Sequence, residues 1–291
     1  MRLLWSWACR PRPPPLANHV TGIDLTPAMI GQPVPAAGRE ESDPRASYGP
    51  KMLLNGAPVT MPDLGPSMQA VFRRSILSVG AFILLLAVAL FVPAGIRWWQ
   101  GWLFLAVFVP QMILASVYLW RKNPEIFIAR SKIHGGTKSW DKLIIVLLLV
   151  SLVAILPVAA LDHSHHGSSV PAWLIVVGYL LLTVGMAGSV WVEAVNKFAE
   201  PGVRIQTDRG HHVVETGPYA LVRHPLYVAA FFLFAGIPLA LGSFWALIPA
   251  LITSAVLVLR TVFEDRMLQN ELAGYKEYAG RVRYRLIPGV W

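Results

Sequence analysis

Three groups of side chains in this sequence have the types and spacing for chemistry. The first is Arg260, Glu264 and Asp265, which directly follow the uncharged run 225–259. Arg260 and Glu264 are four residues apart, so a helix places them on one face. An arginine at the end of such a run is costly unless it is paired or lines a cavity. The spacing fits two arrangements equally. One is an intrahelical salt bridge. The other is a pocket in which the arginine holds an anionic group, bidentately if it is a carboxylate, while the acid meets a cationic ligand group.

The second group lies in the segment 204–227. Asp208-Arg209-Gly210 and Thr216-Gly217-Pro218 are turn signals. His224-Pro225 places proline at the first position of a helix, where its missing N–H is tolerated. A plain helix start preceded by a solvated histidine and arginine accounts for that spacing at least as well as a site does. The third group, His163, His165 and His166, has no cysteine and little acid nearby, so a solvated loop is expected and no metal. Cys9 is the single cysteine, which excludes an internal disulfide and a cysteine metal cluster. The chain has no phosphate-binding glycine loop, metalloprotease helix or serine-nucleophile elbow.

The elements that must position these residues follow from composition. Of 291 residues, 55% are hydrophobic and 14% charged, and the mean hydropathy is +0.53. A soluble domain carries about 25% charged residues, so an all-α integral membrane protein is expected. Uncharged runs cover 76–96, 98–120, 143–161 and 170–192, each near the roughly 20 residues that cross a hydrocarbon core. The run 225–259 would be ~50 Å long as one helix, so Leu241-Gly242-Ser243 is expected to fold it into a hairpin with a short first arm. About six transmembrane helices result, with five as the alternative and a cytoplasmic C-terminal segment after the hairpin. Trp98, Trp99, Trp102 and Trp120 fit an interfacial aromatic belt.

Lysine and arginine concentrate before the first span, in the loops 121–142 and 196–224, and in the tail, while the loop 162–169 has none. Positive loops face the cytoplasm, which puts both termini and the polar residues of 196–225 and 260–291 on that side. The net charge of +9 is thereby accounted for without a nucleic-acid partner. Residues 1–67 are dense in proline, which breaks helical periodicity. A disordered extension is expected there, with the natural start at Met52, Met61 or Met68. The remainder divides into 68–195, carrying the first four spans, and 196–291, carrying the hairpin, the polar loop and the tail.

Gly217-Pro-Tyr-Ala-Leu-Val-Arg-His-Pro-Leu-Tyr227, the hairpin, Glu264-Asp265 with Leu268, Gly274-Tyr275 with Tyr278, and a basic tail ending Leu-Ile-Pro-Gly occur in that order. This ordered set resembles the isoprenylcysteine carboxyl methyltransferase family, which sits with the membrane phospholipid methyltransferases. The resemblance covers about 196–291 and, in topology, the chain from residue 70. It implies S-adenosylmethionine as methyl donor, bound at the cytoplasmic side without a Rossmann fold and without metal. Carried over by position, donor contacts fall on His211, His212, Val213, Val214, Tyr219, His224, Pro225, Leu226, Tyr227 and Glu264, with Gln206 as a further one. Arg260 matches the arginine that addresses the substrate. The family's paired glutamates are here Glu264-Asp265, one methylene shorter at the second position.

The resemblance thus implies methyl transfer to a carboxylate on a hydrophobic or prenylated acceptor that enters from the bilayer. A phospholipid or other small hydrophobic acceptor is the nearest alternative. A sterol-type reductase would take NADPH instead, and a non-enzymatic membrane protein would carry more polar residues within its spans.

Overall fold

The computed structural model describes residues 53–54, 57–58 and 66–291. The expected disordered extension over 1–67 falls almost wholly outside these described residues. Within the unit 1–58, Leu53–Leu54 (β1) and Ala57–Pro58 (β2) form a two-residue antiparallel pair. In the second unit the described residues, 66–291, are mainly helical. Its helices are α1 Pro66–Ala94, α2 Trp99–Lys122, α3 Glu125–Ala129, α4 Ser139–Ser164, α5 Ala172–Val195, α6 Pro225–Ala240, α7 Leu247–Glu271 and α8 Tyr275–Arg281.

Five helices, α1, α2, α4, α5 and α7, are long and apolar enough to cross a membrane. The sixth, α6, has 16 residues and measures ~24 Å, short of a core of about 30 Å. It is the short first arm that the sequence leads one to expect. The hairpin turns at Gly242, whose φ of 73° suits a residue without a Cβ. Ser243 then accepts the Ala246 N–H and donates to Asp162 (2.5 Å), tying the turn to the C-terminal end of α4.

Pairwise packing closes a ring in the order α1, α2, α5, α6, α7, α4. Leu90, Phe104, Ile155, Leu182 and Leu241 are buried inside it, while Leu84, Leu114, Val150, Leu180 and Leu251 face outward. Apolar residues on both faces are what helices need when the surrounding solvent is lipid. Trp98 departs from the expected belt. It is 1% exposed and stacks on His163 at 5.1 Å, because α1 ends before it and turns it inward. Trp99 and Trp102 are exposed, as a belt requires.

The tightest contact in the ring is α5 on α6. A Cβ built on Gly178 would stand 2.3 Å from the Ala240 nitrogen, and one on Gly236 2.6 Å from the Leu182 nitrogen. Without a hydrophobic drive between helices in lipid, such small-residue seams allow backbone-to-backbone packing. Gly236→Ala is therefore expected to cost about 1–3 kcal/mol through overpacking. Thermal unfolding of the purified protein checks this, and an unchanged midpoint would show that the seam is not tight.

Candidate functional site

The charged and polar ends of α2, α4, α5, α6 and α7 meet at one end of the ring, where the loop 196–224 and the C-terminal tail cover them. A cavity of about 1890 Å³ opens there and extends between the helices toward apolar side chains such as Leu148, Leu152, Leu233 and Leu257.

The loop is built by its own polar groups. The buried Glu200 accepts from Arg204 at 2.7 and 2.9 Å, and Arg204 also donates to Asp208 at 2.7 Å. These bonds raise the Arg204 pKa, Glu200 first and Asp208 second, and the same guanidinium lowers that of Asp208. Gln206 is 2% exposed. Its amide donates to the Phe198 carbonyl (2.7 Å) and accepts from Arg209 (2.9 Å), while its N–H donates to His211 Nδ1 (3.3 Å). Each end of this side chain is thus tied to the loop by one bond, which fixes the Gln206 amide in the cavity wall.

His211 accepts at Nδ1 and is held in the neutral form. Burial first, and His212 second, lower its pKa from 6.5 to about 4. A histidine depressed in the folded state binds fewer protons there than when unfolded. Stability is therefore complete above about 6.5 and declines as pH falls from there through about 4. His211→Gln should flatten that decline, as measured by chemical denaturation between pH 7 and 4. A variant whose pH dependence matched the parent would contradict this.

Tyr219 sits on the short turn Gly217–Ala220. Its hydroxyl accepts from Asn196 Nδ2 at the end of α5 (2.5 Å), and its carbonyl accepts from Tyr278 on α8 (2.8 Å). Burial pushes its pKa up, so it remains a neutral hydroxyl. His224 precedes α6 and Pro225 is its first residue. The His224 ring lies parallel to that of Tyr227 at 5.5 Å, and Tyr227 donates to Glu264 on α7.

The neighbouring acid has a different role. Asp265 is fully buried and gathers the C-terminal half of the molecule. It accepts from Arg223 at 2.8 and 3.1 Å, Arg285 at 2.8 Å, Gln269 at 2.8 Å and Tyr275 at 3.1 Å, with His224 Nε2 at 3.4 Å. Arg223 also donates to the carbonyls of Val282 and Arg283, and the N–H groups of Arg223 and His224 donate to Tyr284 and Arg285. One carboxylate thus explains why an Arg-His pair, an acid, a tyrosine helix and a basic tail recur in order along the chain. By contrast Glu264 has the Tyr227 hydroxyl as its one hydrogen-bond partner among the described residues.

Arg260 corrects an expectation from helical spacing. It forms no ion pair with Glu264. Its Nε and Nη2 donate to Asp141 on α4 at 2.8 and 2.9 Å, and Nη2 also donates to the Pro201 carbonyl. The Nε–Nη2 edge of the guanidinium is thus occupied by the protein itself.

Of the residues singled out in the sequence, Gln206, His211, His212, Val213, Val214, Tyr219, His224, Leu226, Tyr227, Arg260 and Glu264 all line this one cavity. Pro225 does not; it is buried at the start of α6. Sequence reasoning gave no site role to Asp141, Arg223, Arg285 or Tyr275, although Arg223 and Tyr275 stand in the ordered motifs and Asp141 is the acid that opens a long apolar run. Among the described residues no three His, Cys, Asp or Glu side chains gather as a metal site.

Residues 173–273 match the model of the phospholipid methyltransferase family, the superfamily of membrane methyltransferases that the motifs resemble. The chain is also similar to the nickel-cobalt-cadmium resistance protein NccN of Alcaligenes xylosoxydans xylosoxydans, 30% identical over 142 residues. That alignment covers 47% of this chain and 59% of the relative.

Proposed function

From the premise that α5, α6 and α7 carry the phospholipid methyltransferase pattern, we propose that this chain is an S-adenosylmethionine-dependent membrane methyltransferase acting on a lipid-like acceptor. The observation that carries the reading is Glu264. It is a cavity-facing carboxylate with one hydroxyl partner, one residue from an acid that has five partner side chains and is saturated. Such a group suits the cationic end of a ligand, and the Tyr219 and Tyr227 rings on the same cavity suit a sulfonium, which aromatic faces attract.

S-Adenosylmethionine supplies a methyl group on a sulfonium, whose transfer by in-line displacement needs no metal. The chain's own residues align and dry the reaction. Glu264 orients the cationic end, and the loop 211–214 and Tyr219 close over it. The whole cavity, at about 1890 Å³, exceeds the 300–1,000 Å³ of an ordinary ligand pocket. It has room for a soluble donor and a lipid chain together. The concentration of lysine and arginine at this end supports a cytoplasmic site with both termini on the same side.

The carboxylate of an isoprenylcysteine-type acceptor is the leading reading of the substrate. A phospholipid amine is the second, and the occupied fork of Arg260 favours it, since an amine does not need a bidentate cation. The test is calorimetric binding of S-adenosylmethionine and of NADPH to the purified chain. Methyl transfer to a prenylcysteine analogue and to ethanolamine phospholipid vesicles then compares the acceptors. Binding of NADPH alone would sink the methyltransferase reading.

A further inference from the structure

The Asp141–Arg260 pair joins α4, outside the family-matched segment, to the cavity wall on α7. Asp141 is fully buried, and the Arg260 side chain is 10% exposed. Asp141 Oδ2 takes a third bond, from the Val203 N–H at 2.7 Å, so the same carboxylate pins the loop strand that passes over the arginine. Nε and Nη2 of Arg260 are both spent, on Asp141 and on the Pro201 carbonyl. Among the described residues, Nη1 is the one guanidinium nitrogen with no acceptor. Its residue lines the cavity, and the guanidinium stands 5.8 Å from the centre of the Tyr227 ring that donates to Glu264.

A guanidinium is planar, so fixing one edge fixes the direction of the remaining N–H groups. We infer that Asp141 is a positioning residue: it holds Arg260 by one edge and thereby leaves Nη1, with its two N–H groups, as the one nitrogen directed at an oxygen of the bound acceptor. The inference rests on the proposed methyl-transfer reading of the cavity. Its physical content is that Arg260 contributes aimed hydrogen bonding from one nitrogen and little net charge, because the Asp141 carboxylate neutralises it. An exposed pair would be floppy and weak; this one is buried and its carboxylate accepts three bonds, so its geometry is retained when the ligand changes.

The experiment uses the full chain in lipid nanodiscs. Donor affinity is measured by calorimetry, and methyl transfer with a prenylcysteine analogue and with ethanolamine phospholipid. Arg260→Gly is expected to lose about a hundredfold in turnover, the scale of a lost positioning contact, with donor affinity close to the parent. Added ethylguanidinium should restore about tenfold of that loss, because the Asp141 carboxylate recaptures a planar fork. The double variant Arg260→Gly/Asp141→Asn should show no such rescue. Arg260→Lys, which keeps a cation for Asp141 and so protects the fold, should retain thermal stability yet not turnover.

Equal rescue in the single and double variants would overturn the role of Asp141. So would full turnover in Arg260→Lys, or a fall in donor affinity parallel to the loss of turnover. Those results leave the methyltransferase reading standing. A parent protein that binds no donor would overturn that reading and the positioning role with it.

Discussion

Asp265→Asn is expected to destabilise this protein more than any other single polar substitution, by about 3–5 kcal/mol, the scale for removing one partner of a buried ion pair. The side chain is wholly buried between two arginines. An amide of the same size cannot compensate them, and its NH2 group would face donors on at least one side. Part of the penalty is relieved at Arg285, which is 28% exposed, and less at Arg223, which is 6% exposed. On the scale of 2–4 °C per kcal/mol for a chain of this size, the unfolding midpoint should fall by on the order of 10 °C. Limited proteolysis gives a second reading. The tail 282–285 is held by bonds to Arg223 and His224, so cleavage there should precede cleavage elsewhere. A midpoint unchanged from the parent, with an intact tail, would show that Asp265 is not the hub its contacts describe.

Glu264→Gln is the opposite case, one residue away. Its carboxylate has one hydroxyl partner, and an amide oxygen can accept the same bond, so stability should change by less than about 1 kcal/mol. The loss should fall on the donor. If the carboxylate meets the cationic end of S-adenosylmethionine, removing its charge weakens binding by about 1–3 kcal/mol, a five- to hundredfold rise in Kd. Measuring midpoint and donor affinity on the two variants side by side separates a ligand contact from a folding contact. A Glu264→Gln protein that binds the donor normally would take Glu264 out of the donor site. One that unfolds as readily as Asp265→Asn would make it part of the fold.

The helices themselves were legible in the sequence. Lipid demands long runs without charge, and hydropathy is a sum over consecutive residues, so the runs near 76–96, 98–120, 143–161 and 170–192 coincide with α1, α2, α4 and α5. The hairpin was legible for an equally local reason: glycine at a positive φ marks the turn at 242. The membership of the cavity was legible through ordered motifs, since the residues named on either side of the hairpin line one space. The shape of α6 was only half visible. Its shortness follows from the length of the run, but its shielding by α5 depends on glycines meeting across two helices.

The tertiary structure alone decided which charge meets which. Helical spacing points Arg260 at Glu264, one turn away, yet its partner is Asp141, 119 residues earlier. Glu264 and Asp265 are adjacent, but each step along a helix turns by near 100°. One acid therefore faces the cavity while the other faces the tail. Trp98 reads like its neighbours Trp99 and Trp102, yet α1 ends at Ala94 and the turn after it sends that ring into the core. A span is a property of neighbouring residues along the chain, and lipid selects it one segment at a time. An ion pair depends on which helices are adjacent and at what depth their side chains meet, and this packing brings together groups that no spacing in the chain relates.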